Sequence, residues 1–345
     1  MLGERDVTDP DPLAELLGSS PAFAELKDRA RQMLAGARSG GRLPPVLIQG
    51  ETGTCKGLLA RALHHASPRT AATFVAVNCG AIPETLGESE FFGFARGAHS
   101  EARQPKIGLF QAANHGTIFL DEVGLLSGGH QARLLKVVED RQVVPVGATR
   151  PVPVDLWVIS ATNADLWADV EDHKFRRDLY ERLAVITFTL PPLRERASDI
   201  LPLADRFLAR SCSEYGLRPK KLAADAQRRL LEHSWLGNVR ELSNVIERAA
   251  LLVESDTIPG ARLELASPVL IAVAPPVSPP MVSRGDKRKH ILEALEQRGG
   301  NITRTAEDLG ISRKTLRDWM RQGGVYPYPG QGDLAASAPG SERET

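Results

Sequence analysis

The chain has little cysteine. Three residues, Cys55, Cys79 and Cys212, are odd in number and far apart. They supply neither a disulfide framework nor a metal-ligand cluster, and they suit a reducing compartment. It has no net charge, with 43 Lys and Arg against 43 Asp and Glu. Any nucleic-acid contact must therefore come from a local basic patch rather than from the whole molecule. Signal peptide and apolar run of transmembrane length are both absent, so the expectation is a cytoplasmic protein with no membrane partner. The first twenty residues are acidic and without strong period, too short for a sensory domain, so control is expected from a separate protein or from expression level. What is present is an ordinary soluble composition, 42% hydrophobic and 25% charged, on a length of 345 residues that accommodates two or three domains.

One stretch organises the rest. Val46-Leu47-Ile48-Gln49 is an apolar, β-branched run that enters a Gly-rich turn, Gly50-Glu51-Thr52-Gly53-Thr54-Cys55, followed by Lys56 and Gly57. Leu58 to His65 reads as a helix. A strand, a loop and a helix in that order can hold phosphate, with backbone N–H groups and the positive helix end facing the oxygens and Lys56 reaching the β- and γ-phosphates. The pattern G-x-x-x-x-G-K-[ST] is broken twice: Cys55 stands where Gly is wanted, and Gly57 offers no hydroxyl to a magnesium ion. A side chain forced into a Gly conformation costs about 1–3 kcal/mol. Taken alone, the stretch is either a phosphate loop or an ordinary Gly-rich turn.

A preceding helix is expected from Pro21 to Ala37. Further strands are expected at Thr73 to Asn78, Gly116 to Glu122, Val154 to Ser160 and Val185 to Leu190. Unbroken apolar runs suit strands buried on both faces of a parallel sheet. Polar residues at their carboxyl ends would sit in the crevice where such sheets bind ligands. Asp121 would then hold magnesium and Glu122 would orient an attacking water. Asn163, after the fourth strand, could sense a γ-phosphate, although Asn at a strand end is mostly turn chemistry. Residues 88–102 have many glycines and little period and are expected as an exposed inserted loop. Phe175 to Leu183 reads as a charged helix whose Arg176 and Arg182 are, by themselves, solvated surface residues. Residues 199–253 read as a small helical unit, with Asn238 as a helix N-cap.

Residues 259–283 hold six prolines and read as a linker. From Arg284 to Arg321 there are ten Lys or Arg and six Asp or Glu, a net of +4. Ile291, Leu292 and Leu295 mark one helix, and Ile302, Ala306 and Leu309 a second that Asn301 caps. Gly310 turns the chain into a third that Ser312 caps. A generic three-helix bundle shares this apolar pattern. The Gly turn and the basic third helix favour a helix-turn-helix, with Ser312, Arg313, Lys314, Thr315 and Arg317 placed to meet base edges. Beyond Tyr328 the tail reads as disordered.

Taken together, these motifs resemble the bacterial enhancer-binding proteins of the sigma-54 activator class, in which an AAA+ ATPase is joined to a Fis-type helix-turn-helix. The resemblance covers roughly residues 16–253 and 285–322. It rests on Val77-Asn78-Cys79, Glu88 to Gly93, Gly116 to Glu122, Ala161-Thr162-Asn163, Phe175 to Leu183, Pro192 to Arg196, Gly237 to Leu242 and Leu309 to Arg313, all in the family's order. It implies an α/β fold, an AAA+ phosphate-loop parallel sheet with a helical lid, plus a small all-α helix-turn-helix domain. The implied layout is a tail at 1–15, a core at 16–195, a lid at 196–258, a linker at 259–284, a DNA-binding domain at 285–323 and a tail at 324–345. It implies ATP and magnesium as cofactors, a homo-hexameric ring, upstream DNA and sigma-54 RNA polymerase as partners, and ATP hydrolysis. It also implies that Asn78 switches Glu122, that Asn163 and Arg240 are sensors, and that Arg176 and Arg182 are arginine fingers for the neighbouring subunit.

The sequence departs from the family at its polymerase-contact loop. The family reads G-A-F-T-G-A where this chain has Gly97-Ala98-His99-Ser100-Glu101-Ala102. An apolar tip has gained a carboxylate, which is costly to bury unless paired. Together with Cys55 and Gly57, this leaves a second expectation standing: a DNA-binding regulator whose AAA+ scaffold senses nucleotide or oligomerises without activating sigma-54 polymerase.

Overall fold

The structure, a computed structural model, describes residues 12–13, 16, 18–38, 42–98, 102 and 104–265, with Leu295, Thr305 and Leu316 beyond them. The chain divides into two compact units, Met1–Ala266 and Ser267–Thr345. In the second, Leu295, Thr305 and Leu316 are helical and buried. The five residues expected to contact DNA lie outside the described residues, as do His99, Ser100 and Glu101 of the contact loop.

The first unit is built on five parallel strands: β1 Val46–Gln49, β2 Phe74–Asn78, β3 Thr117–Asp121, β4 Trp157–Thr162 and β5 Ile186–Thr189. Their order is β2-β3-β4-β1-β5. Successive side chains of a strand point to opposite faces. On one face Leu47, Ile118, Leu120 and Val158 pack with residues of the helices Gly128–Asp140 and Arg177–Leu183. On the other, Val46, Ile48, Phe119, Trp157 and Ile159 pack with the helices Pro21–Arg38 and Lys56–Ala66. Both faces are covered, which is why the strands are apolar throughout rather than alternating. A buried hydrogen bond between His64 and the Thr117 hydroxyl, 2.9 Å, pins the second of those helices to β3.

The register sets the site. Val46 pairs with Ile159 and Gln49 with Thr162, while Asn78 pairs with Asp121. The phosphate-loop candidate, Asn78, Asp121 and Asn163 therefore all leave the sheet at its carboxyl edge.

A third apolar cluster forms the lid, around Leu208, Leu230, Trp235, Leu242 and Ile246. Its helices are Ile200–Glu214, Ala224–Glu232 and Asn238–Leu252. A short parallel pair, Lys221–Leu222 with Thr257–Ile258, adds strand structure to a segment expected to be wholly helical. Residues 260–265, expected to begin the linker, belong to the lid instead: Leu263 is 2% exposed in the same cluster.

One sequence expectation is overturned. Residues 88–92 are not exposed loop but the end of the helix Glu84–Phe92. Phe91 and Phe92 are buried, with ring centroids 6.0 and 5.4 Å from Phe110. Burying two aromatic side chains outweighs weak local periodicity. The insertion proper begins at Gly93–Phe94, which pairs with Lys106–Ile107. Its base is closed by a hydrogen bond from Gly97 N–H to the Ala102 carbonyl, 2.8 Å.

Truncating the sheet centre tests this account. Leu120 is wholly buried in the cluster that lines one face of the sheet. Leu120→Ala is expected to lower unfolding free energy by about 2–5 kcal/mol, read from the denaturant midpoint.

Candidate nucleotide-binding site

The loop Gly50 to Cys55 joins β1 to the helix that starts at Lys56. Cys55 is the residue before that helix and lies at φ 75° and ψ 35°, the left-handed conformation. The sequence motif wants Gly there for this reason, and the Cys side chain occupies a strained backbone. By contrast Gly57 is not imposed by packing. A Cβ at that position would lie 3.7 Å from Phe119, an ordinary contact.

Lys56 is buried, and its Nζ donates to the carbonyls of Gly50 at 2.9 Å and Glu51 at 3.3 Å. Burial pushes its ammonium pKa down, and the nearby Glu122 and Asp121 carboxylates work against that, while Arg240 adds to it. No ion pair engages Lys56 among the described residues. A cation held by carbonyls and facing carboxylates across a gap fits a polyanion with a counter-ion between them. Asp121 accepts from the Glu122 N–H at 3.1 Å, and Glu122 itself sits at φ 54°. Asn163 donates its side-chain amide to the Thr52 hydroxyl at 3.0 Å, and its backbone N–H points to Glu122 Oε2 at 3.4 Å. The geometry thus brings Thr52, Lys56, Asp121, Glu122 and Asn163 together.

The expected contact between Asn78 and Glu122 is not made, and the two arginines expected to serve a neighbouring subunit pair locally. Asn78 accepts hydrogen bonds from Gly80 and Ala81 N–H, 2.9 and 3.2 Å, capping a short turn rather than engaging Glu122. Arg176 pairs with Asp178 at 2.6 Å and Arg182 with Glu139 at 2.6 Å. Both guanidiniums lie at the surface with their own carboxylates, away from the loop.

Sequence reading missed the seam between loop and lid. Asn238 is not a side-chain cap: it stands at φ 53°, is fully buried, and Gly237 precedes the helix. Its amide NH2 donates to Glu51 Oε2 and the Thr52 carbonyl, both 3.0 Å, and its amide oxygen accepts from Leu193 N–H at 2.7 Å. Glu51 also receives both arms of Arg194, at 2.6 and 2.8 Å. Val239 N–H donates to the Gly53 carbonyl at 3.0 Å. Gly53 has φ +82°, and a Cβ there would meet the Gly237 carbonyl at 2.2 Å. The motif Glu51-Thr52-Gly53 was legible as a loop, but nothing in the sequence pairs it with residues nearly two hundred positions later.

Those bonds hold the Glu51 carboxyl at about 2, below its ordinary 4.5, with the Arg194 hydrogen bonds the largest cause and Asn238 the next. A lowered carboxylate contributes stability above its unfolded value and loses it as pH falls through the folded one. The pair is solvent-screened, so the effect is modest. The stability difference between wild type and Glu51→Gln is expected to be constant above about pH 5 and to shrink toward pH 2, followed by denaturation midpoints across that range.

A cavity of about 300 Å³ lies between loop and lid, lined by Leu16, Phe23, Cys55, Arg196, Val239 and Arg240 among others. Arg196 is 2% exposed, with Nε and Nη2 lacking hydrogen-bond partners. An apolar cleft with two guanidiniums beside a phosphate-type loop fits a nucleotide better than an apolar ligand.

Comparison with known proteins gives the same reading. Residues 16–189 match the sigma-54 interaction domain, 194–267 the AAA+ ATPase lid domain, and 288–322 the Fis family of bacterial regulatory proteins. The chain is 41% identical to the response regulator protein PilR of Pseudomonas aeruginosa over 316 residues, covering 90% of this chain and 70% of that one. It is 41% identical to the regulatory protein AtoC of Escherichia coli over 322 residues, covering 90% and 68%. NtrX from Brucella abortus in complex with ADP has a similar structure, with TM-score 0.65, 29% identity and coverage of 91% and 70%. NtrX in complex with ATP matches at TM-score 0.65 and 31% identity, covering 90% and 70%. The order of motifs, the parallel sheet with its lid and these matches place the chain in the sigma-54 interaction family of AAA+ proteins: it is a sigma-54-dependent transcriptional regulator with a Fis-type helix-turn-helix.

Proposed function

We propose that the chain binds ATP with magnesium in the cleft between core and lid and hydrolyses it as a homo-hexameric ring.

 

The observation that carries this reading is the grouping of Lys56, Asp121, Glu122, Asn163 and Thr52 at one sheet edge, beneath a lid that brings Arg240. Gly50, Glu51, Thr52, Gly53, Thr54, Cys55, Lys56 and Gly57 hold the phosphates, and Lys56 supplies the charge that meets them. Asp121 would hold magnesium. Magnesium, when bound, neutralises charge on the phosphate oxygens. Glu122 orients the attacking water, Asn78 can switch it only after leaving the Gly80 and Ala81 N–H groups it holds here, and Asn163 and Arg240 sense the γ-phosphate.

Arg176 and Arg182 act on the nucleotide of the neighbouring subunit. Their exposure and their pairing with surface carboxylates support this, because each can exchange a screened partner for phosphate at small cost. The helix-turn-helix at 285–323 binds upstream DNA through Ser312, Arg313, Lys314, Thr315 and Arg317. Gly97, Ala98, His99, Ser100, Glu101 and Ala102 form the loop that meets sigma-54 polymerase.

A second reading has its own support. The strained Cys55 and the hydroxyl-free Gly57 favour a scaffold that binds nucleotide without driving the polymerase step. Transcription in vitro from a sigma-54 promoter separates the two. Open complexes that form only with this protein and ATP support the first. Their absence at every ATP concentration, with a control activator working, supports the second.

Two sets of variants test the assigned roles. Lys56→Ala is expected to abolish nucleotide binding, whereas Glu122→Gln keeps binding and lowers turnover by roughly 10²-fold or more, measured by calorimetry and phosphate release. Arg313→Ala or Arg317→Ala is expected to weaken operator binding by about 1–3 kcal/mol where that side chain reads a base, measured by fluorescence anisotropy.

A further inference from the structure

The three thiols of this chain differ sharply in their surroundings. Cys79 and Cys212 are buried, at 5% and 4% exposure, and only Cys55 is partly exposed. Burial and the Asp121 and Glu122 carboxylates push the Cys79 thiol up to about 12. Cys55 instead lines the cavity between loop and lid, with Arg196 and Arg240 on the same wall. Burial raises its thiol too, and the Arg196 and Arg240 guanidiniums offset only part of that rise. Arg196 is an independent sign of a ligand site. It is almost wholly buried, two of its nitrogens have no hydrogen-bond partner, and its guanidinium stacks 4.9 Å from the Phe23 ring centroid. Asp199 offsets part of its charge; its Oδ1 accepts from the N–H groups of Ser19 and Ser20, and its Oδ2 is buried without a hydrogen-bond partner. Arg240 has no hydrogen-bond partner among the described residues.

We propose that Cys55 is a covalent modification site for small anionic disulfides of the glutathione class, and that the mixed disulfide formed there closes the nucleotide cleft. The second half rests on the nucleotide reading above; the first does not. The Cys55 thiol gives its proton to water, and the thiolate attacks one sulfur of R–S–S–R. A Cys55–S–S–R bond forms, the reagent's S–S bond breaks, and R–S⁻ leaves with the electron pair and takes up a proton. The Cys55 sulfur is oxidised and the leaving sulfur reduced, and a free thiol reverses the exchange. The arginines select the charge of the reagent. The adduct fills the cavity directly ahead of Lys56, because Cys55 is the residue before that helix and its Sγ lies 4.0 Å from the Gly53 carbonyl.

The test uses the full chain, oxidised glutathione as the anionic probe and cystamine as the cationic one. Each rate is normalised to that of N-acetylcysteine with the same reagent. Peptide mass mapping locates the adduct, and a fluorescent ADP analogue reports binding. Cys55 is expected to be modified roughly tenfold faster than Cys79 or Cys212, with glutathione favoured over cystamine after normalisation. Nucleotide binding is expected to fall in step with Cys55 modification and to return with dithiothreitol. Equal modification of Cys79 or Cys212, or no preference for the anionic reagent, overturns the site. Complete modification of Cys55 with unchanged nucleotide affinity overturns the closure. An untreated chain without nucleotide affinity overturns the functional reading and the closure with it, while the peptide map still decides the site. The double variant Cys79→Ser/Cys212→Ser is expected to keep both the Cys55 adduct and the loss of nucleotide binding that follows it. Should that variant fail to fold, mapping of the wild-type chain carries the test alone.

Discussion

The lid is held to the phosphate loop by two side chains, Glu51 and Asn238. Glu51 receives Arg194 from the segment after β5 and Asn238 from the lid, while Asn238 also grips the Thr52 carbonyl and the Leu193 N–H. A buried amide that satisfies both its oxygen and its nitrogen is a rigid joint, because losing either partner leaves a polar group stranded. The close approach of Gly53 to Gly237 works only with this joint in place, since no side chain fits between them. The cleft therefore owes its shape to one acidic residue of the loop and one amide of the lid.

Against that joint, the departures of this chain fall on one side of the cleft. The carboxylates of β3, the sensor candidate Asn163 and the lid contacts are all in place. Cys55 and Gly57 are not what the motif wants, and they flank Lys56. The two differ physically. Cys55 sits in a conformation that costs free energy, whereas Gly57 occupies ordinary space where a larger side chain fits. The first places a side chain on a left-handed backbone position and the second removes a possible oxygen ligand. Cys55 also brings a thiol into a cavity that holds two guanidiniums, which gives this position chemistry that a glycine lacks.

The surface arginines show a different constraint. Arg176 and Arg182 have partners of their own, but both pairs are exposed and screened. Such pairs contribute little to stability, so exchanging them is cheap. The proposed action of both arginines on a neighbouring subunit's nucleotide requires side chains that are free to change partners. The pairing of Asn78 with turn N–H groups has the same character. It is a local arrangement at the sheet edge, one residue across from Asp121 in the β2–β3 register.

Much of this was legible in the sequence because it is local. The apolar runs of β1, β3 and β4, the turn after Gln49 and the carboxylates after Leu120 follow from short-range pattern and steric rules. The register that gathers Lys56, Asp121 and Asn163 follows from burying both sheet faces. The Glu84–Phe92 helix was not legible, because Phe91 and Phe92 gain their stability from Phe110 and the core rather than from periodicity. The role of Asn238 was not legible either. As a helix-start residue it had a sufficient local explanation, and its partners Glu51 and Thr52 lie far away in sequence. Short-range order determined which residues could do chemistry; tertiary packing decided how the lid meets them, because a joint between distant segments leaves no periodic trace in either one.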